Sequence, residues 1–119
     1  MNKEKIKKKL ENALEDLREG YVIVEGIKDV SSLQKIGIES HNYSKKTIRE
    51  AKGKVFILTD MDKEGERIAK EIEEKLRENT KVGKIITTAR KRIAGILNLR
   101  KFEEIEKKYR KFLEVYENG

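Results

Sequence analysis

Two short apolar runs, "YVIVEG" at residues 21–26 and "KVFILTD" at 54–60, constrain the fold of this chain more than any other feature. Neither alternates apolar with polar residues, so neither has a solvated face, and each must be covered on both sides. Both are too short for stable helices and rich in β-branched residues, which reads as buried strand. "KVGKIITTA" (81–89) reads as a third strand, and "IESHNYS" (38–44) has room for a short one. Helical periodicity fills the intervals. Residues 3–19 place Ile6, Leu10, Ala13, Leu14 and Leu17 on one stripe and stop at Gly20. "KDVSSLQKIG" (28–37) closes on Gly37 as a C-terminal cap, and Ser44 is a suitable N-cap for "KKTIREAK". Residues 64–78 align Ile68, Ile72 and Leu76. Helical spacing also runs from Ile93 to Tyr116, with a break near Asn98. Strands alternating with helices predict an α/β fold: a mainly parallel central sheet of about four strands with helices on both faces.

Composition narrows the chemistry. The 119 residues, 43% of them charged and 6% aromatic, suit a single domain with a lean core. There is no cysteine, which excludes disulfides, zinc–thiolate clusters and thiol catalysis. His41 is the sole histidine and builds no imidazole metal site alone. No apolar stretch is long enough to span a membrane, and the N-terminus lacks the apolar segment of a signal peptide, so a soluble, cytoplasmic protein is expected. The net charge is +7, and residues 81–119 carry eleven basic against five acidic side chains. That surplus suits a polyanionic partner. A solvated, lysine-rich helical face accounts for the charge equally simply.

In a parallel sheet, ligands gather outside the carboxyl ends of the strands. Glu25 ends the first run; Asp60, Asp62 and Glu64 follow the second at intervals of two. Carboxylates this close repel one another, and a cation is the usual remedy. Three chemistries compete. Asp60, Asp62, Glu64, Gly65 and Glu71 match positions 1, 3, 5, 6 and 12 of a calcium-binding EF-hand loop. That motif needs a preceding helix, where this chain has "KVFILT", and an apolar residue where it has Arg67. An Asp-x-Asp phosphatase also sets its acids after a buried strand, but wants a long cap region and further acids downstream. Magnesium takes a few carboxylates and leaves its other positions to water and phosphate, which fits best. Gly65 lets the chain turn into the next helix, whose first amides suit a phosphate.

"VIVEGIKD" followed about thirty residues later by "ILTDMDKEGERIAKEI" resembles the two motifs of the Toprim domain. That module is shared by type IA topoisomerases, bacterial primases, OLD-family nucleases and RNase M5. The likeness covers roughly residues 20–90, with an N-terminal helix at 3–19 and a basic helical extension at 91–117 lying outside it. Gly26 and Asp29 resemble the primase and RNase M5 forms; Glu64, Gly65 and Glu66 are closer to topoisomerases. Met61 stands where proline is frequent. The resemblance implies that Glu25 is the general acid/base at a phosphodiester and that Asp60 and Asp62 hold Mg2+, with Mn2+ as a substitute. It implies Glu64 as a third ligand, direct or through water, and suggests a phosphate contact for Lys28. The structural alternative is that Glu25 and Asp29 merely cap the short helix and bind nothing.

Gate domains and a primase polymerase fold are not expected in 119 residues, which leaves a small Toprim protein most like RNase M5. The basic stretch "ARKRIAGILNLRKF" is its expected nucleic-acid contact, through Lys84, Arg90, Lys91, Arg92, Arg100 and Lys101. The expected function is Mg2+-dependent cleavage of RNA or DNA with water as nucleophile. The rival is a non-catalytic metal- and nucleic-acid-binding subunit of a larger processing complex. Tyr109, Phe112 and Tyr116 near the end of the chain suggest a homodimer.

Overall fold

The computed structural model describes residues 2–118. Helix α1 (Lys3–Glu19) starts where the Asn2 side chain accepts the Lys5 N–H at 2.9 Å, and it buries Leu10, Ala13, Leu14 and Leu17. Full burial of each leucine stabilises the fold by roughly 1.5–3 kcal/mol. The helix stops at Gly20, where a Cβ would lie 2.4 Å from the Phe56 ring. Strand β1 (Tyr21–Val24), helix α2 (Ile27–Gln34), strand β2 (His41–Asn42) and helix α3 (Lys45–Glu50) follow. Then come β3 (Gly53–Leu58), α4 (Lys63–Leu76), β4 (Val82–Ile86), α5 (Thr88–Leu97), a 3-10 turn (Phe102–Glu104) and α6 (Ile105–Asn118).

The four strands form one parallel sheet in the order β2-β1-β3-β4. Pleating divides their side chains between two cores. Val22, Val24, Phe56 and Leu58 pack against α1, α2, α5 and α6, while Ile23, Val55 and Ile57 pack against α4 and the end of α3. The chain leaves β1 toward β2 on one side and returns as β3 on the other. Ligand sites lie at such a reversal of strand order, at the carboxyl ends of the two central strands.

Two expectations need correction. The third strand ends at Ile86, and Thr88 already opens α5, five residues before the expected Ile93. Ala89, Ile93, Ala94 and Leu97 recur at helical spacing and are buried, which outweighs the strand preference of the Thr87–Thr88 pair. The break near Asn98 is a left-handed cap (φ 56°), and the Leu99 N–H returns to the Ala94 carbonyl at 2.9 Å. Tyr109, Phe112 and Tyr116 pack inward against the larger core, with the Phe112 and Tyr116 rings stacked at 4.0 Å, so they supply no argument for a homodimer.

Candidate functional site

Because Val24 lies beside Leu58, the chain leaves the sheet at Glu25 and Thr59 side by side. The Asp60 backbone N–H donates to Glu25 Oε2 at 2.7 Å. Asp60 Oδ1 in turn accepts the Phe102 N–H at 3.1 Å. Asp62 is the N-cap of α4 and accepts the Gly65 N–H on Oδ1 at 2.6 Å. Each carboxylate therefore has one oxygen held by a main-chain donor. The second oxygen of each accepts no hydrogen bond from the described residues, and no cationic side chain among them pairs with Glu25, Asp60 or Asp62.

Burial raises the Glu25 pKa above the ordinary glutamate range, opposed by the Asp60 N–H and reinforced by the charges of Asp60, Asp29 and Asp62. Asp29 is buried in the first turn of α2, where it accepts the Gly26 N–H at 3.0 Å. Burial raises its pKa as well, with Asp60 and Glu103 adding to the effect. Asp29 thus serves the capping role and also belongs electrostatically to the acid cluster.

The loop after β3 is fixed from three directions. Arg90 is 4% exposed; its Nε donates to the Thr59 carbonyl at 2.8 Å, Nη2 to the Asp60 carbonyl at 2.6 Å, and Nη1 to Glu66 at 2.9 Å. Thr59 Oγ1 donates to the Gly65 carbonyl at 2.7 Å, and the Met61 N–H donates to the Arg100 carbonyl at 2.8 Å. Gly65 is required by close approach rather than by a turn: a Cβ there would stand 1.8 Å from the Asp60 carbonyl oxygen.

The remaining expected residues divide. Lys28 lies exposed in the first turn of α2, next to the acids, and Arg100 and Lys101 arrive beside them through the bonds of Met61 and Phe102. Lys91 and Arg92 are exposed on α5. Arg90 departs from the expected surface role because its guanidinium is spent on the site's own main chain. Lys84 pairs in register with Lys54, toward the opposite end of β3, so it is not near the acids. Glu64 is forked onto Arg67 at 2.6 and 3.1 Å, which lowers its pKa.

Among the described residues, no three acidic side chains enclose a single point as a ready-made cage. Magnesium is typically held by one or two carboxylates plus water and phosphate, so it needs no such cage. Asp60 and Asp62, each with an uncommitted hard oxygen and no cationic partner, fit that ion.

A four-stranded parallel sheet with acids at its point of reversal defines an α/β domain with an acidic site at the carboxyl edge of its central strands. The Toprim domain model matches residues 20–94, and the chain belongs to this family. Membership ties it to divalent-metal binding and to nucleic acid. A UPF0292 protein of Pyrococcus furiosus is 37% identical over 84 residues, 62% of this chain and 64% of the relative. The fold is also that of an Aquifex aeolicus protein of known structure (TM-score 0.63, 24% identity), covering 80% of this chain and 96% of the other. No helix among the described residues is long and apolar enough to cross a membrane.

Proposed function

We propose that the protein is a cytoplasmic, magnesium-dependent nuclease that hydrolyses a phosphodiester bond at the carboxyl edge of β1 and β3. The observation that carries this reading is the arrangement of Glu25, Asp60 and Asp62. Each has one oxygen anchored by a main-chain N–H and one left without a partner among the described residues, and no basic side chain of those residues forms an ion pair with any of the three. Asp60 and Asp62 are assigned as metal ligands, and Mn2+ is expected to substitute. A metal bound there would neutralise phosphate charge and polarise the scissile phosphorus.

Glu25 is assigned as the general acid/base. Its raised pKa brings it nearer the working pH, and the Asp60 N–H fixes one carboxylate oxygen so that the other faces the reacting group. Lys28, Arg100 and Lys101 are assigned to neighbouring phosphates, with Lys91 and Arg92 farther along the strand. Glu64 takes no direct ligand role in this scheme, because Arg67 already occupies both of its oxygens.

The test is incubation of purified protein with labelled single strands, duplexes and hairpins of RNA and DNA, with Mg2+, with Mn2+ or with chelator. Cleavage that needs a divalent ion and is lost in Asp60→Asn supports the reading. Metal-dependent binding without cleavage replaces it with the non-catalytic module.

A further inference from the structure

The amino edge of the sheet, opposite the acids, carries a group of exposed lysines. Lys54 on β3 and Lys84 on β4 are in-register neighbours and both are exposed. Registered residues of adjacent strands project on the same face, and the strands are only about 4.8 Å apart. Like charges so placed cost stability. Lys52 and Lys54 also line a groove of about 620 Å3 with Lys81, Glu19, Tyr21 and the backbone of Gly20 and Gly53. The Lys81 ammonium is committed to the Arg49 carbonyl at 2.7 Å. None of Lys52, Lys54 and Lys84 forms an ion pair with an acid among the described residues.

Protection of an exposed sheet edge explains a lysine on β4, the outermost strand. It does not explain a second lysine beside it on β3, an interior strand whose pairing with β1 begins one residue later, at Val55. Repulsion maintained at one place is relieved when a polyanion binds there. We propose that Lys52, Lys54 and Lys84 form a second phosphate-contact site for duplex nucleic acid, roughly 20 Å from the acid cluster at about 3.3 Å per residue along β3. This inference rests on the nucleic-acid reading of the acid site and adds the form of its substrate.

The edge strand β4 connects the two ends. It passes Lys84 and ends at Ile86, and Thr88 then opens α5, which presents Lys91 and Arg92 and sends Arg90 to the Asp60 carbonyl. A duplex lying along this edge spans both sites with roughly six base pairs, at about 3.4 Å per phosphate on each strand. It is stiff on that scale, since its persistence length is about 150 base pairs, so phosphates held at one end align the other. A flexible single strand gains much less from two fixed points so far apart.

The experiment compares wild type with the triple variant Lys52→Gln, Lys54→Gln, Lys84→Gln by fluorescence anisotropy across a salt series. Two labelled stems are used, of about 5 and about 16 base pairs, shorter and longer than the roughly six the span needs. The variant is expected to bind the long stem about 10-fold more weakly or worse, with the slope of log K on log salt reduced by about 2–3, at about 0.9 per lost phosphate contact. Its affinity for the short stem is expected to fall much less, because that stem cannot engage both sites at once. An unchanged affinity and slope on the long stem overturns the second site and leaves the acid site standing. Equal weakening on both stems also overturns it, since that is the signature of net charge rather than a remote contact. Wild type binding neither stem overturns the nucleic-acid reading of the acid site, and this inference falls with it.

Discussion

Arg90 and Asp60 are joined through the main chain: the guanidinium Nη2 donates to the Asp60 carbonyl oxygen at 2.6 Å, thirty residues away in sequence. A second donor of the same side chain holds the Thr59 carbonyl. The loop that carries Asp60 and Asp62 therefore keeps its shape through a residue whose guanidinium is spent on its main chain. Arg90→Met leaves two carbonyls without their donor in a place water reaches poorly, and is expected to cost about 2–5 kcal/mol. Arg90→Lys keeps the charge but not the planar fork, so it should recover only part of the loss. Urea denaturation reads both. A midpoint unchanged in Arg90→Met contradicts the clamp.

Gly65→Ala separates close approach from helix propensity. Gly65 lies in the first turn of α4, where alanine normally improves a helix by about 1 kcal/mol. Here the added methyl meets the Asp60 carbonyl, so either the loop or the helix must shift. A drop in thermal midpoint and a weaker response to Mg2+ are expected together. A stabilised protein with an unchanged metal response shows that the loop moves without cost.

How far the sequence revealed this arrangement depended on whether each feature is local. Periodicity located α1 at its observed bounds, and the non-alternating runs marked β1 and β3 with their acids at the carboxyl ends. Those signals need only a few consecutive residues. The Phe102 N–H on Asp60 closes a contact over 42 residues and is made by backbone, which carries no residue-type signature. Arg90 sits in a basic run that reads as surface, and only the packing of α5 on the sheet buries it. Lys54 and Lys84 are ordinary exposed lysines until the β3–β4 register makes them neighbours.

The raised pKa of Glu25 has a definite sign in stability. Its folded-state value lies above the unfolded one, so the folded protein holds the proton more tightly. Its contribution is fully present below the usual glutamate pKa and is lost as pH rises through the folded value. Glu25→Gln removes that loss while keeping an oxygen for the Asp60 N–H. In chelator at neutral pH the variant is expected to melt above wild type, with a flatter dependence on pH in the acid range. Saturating Mg2+ stabilises wild type by mass action and narrows the gap. If Glu25→Gln melts below wild type in chelator at every pH, the carboxylate is a structural anchor rather than a group held under strain for function.

If the protein cleaves nucleic acid as proposed, catalysis and binding should come apart by mutation. Asp60→Asn with Asp62→Asn removes two charges yet keeps an oxygen for the Phe102 N–H and for the N-cap of α4, where asparagine caps as well as aspartate. The fold is expected to survive, cleavage to disappear, and affinity for nucleic acid to hold or rise as repulsion of the phosphates is relieved. Reversing the exposed Lys91, Arg92 and Lys101 to glutamate should do the opposite: affinity falls at least 10-fold and the salt dependence flattens. Arg90 is left out of that set, because its loss acts through stability and confuses the result. Anisotropy over a salt series, with a cleavage assay at saturating protein, separates the two effects. If the basic triple variant binds as tightly and as salt-sensitively as wild type, the charge on α5 and the following turn is a solvated face and the nucleic acid enters from another side.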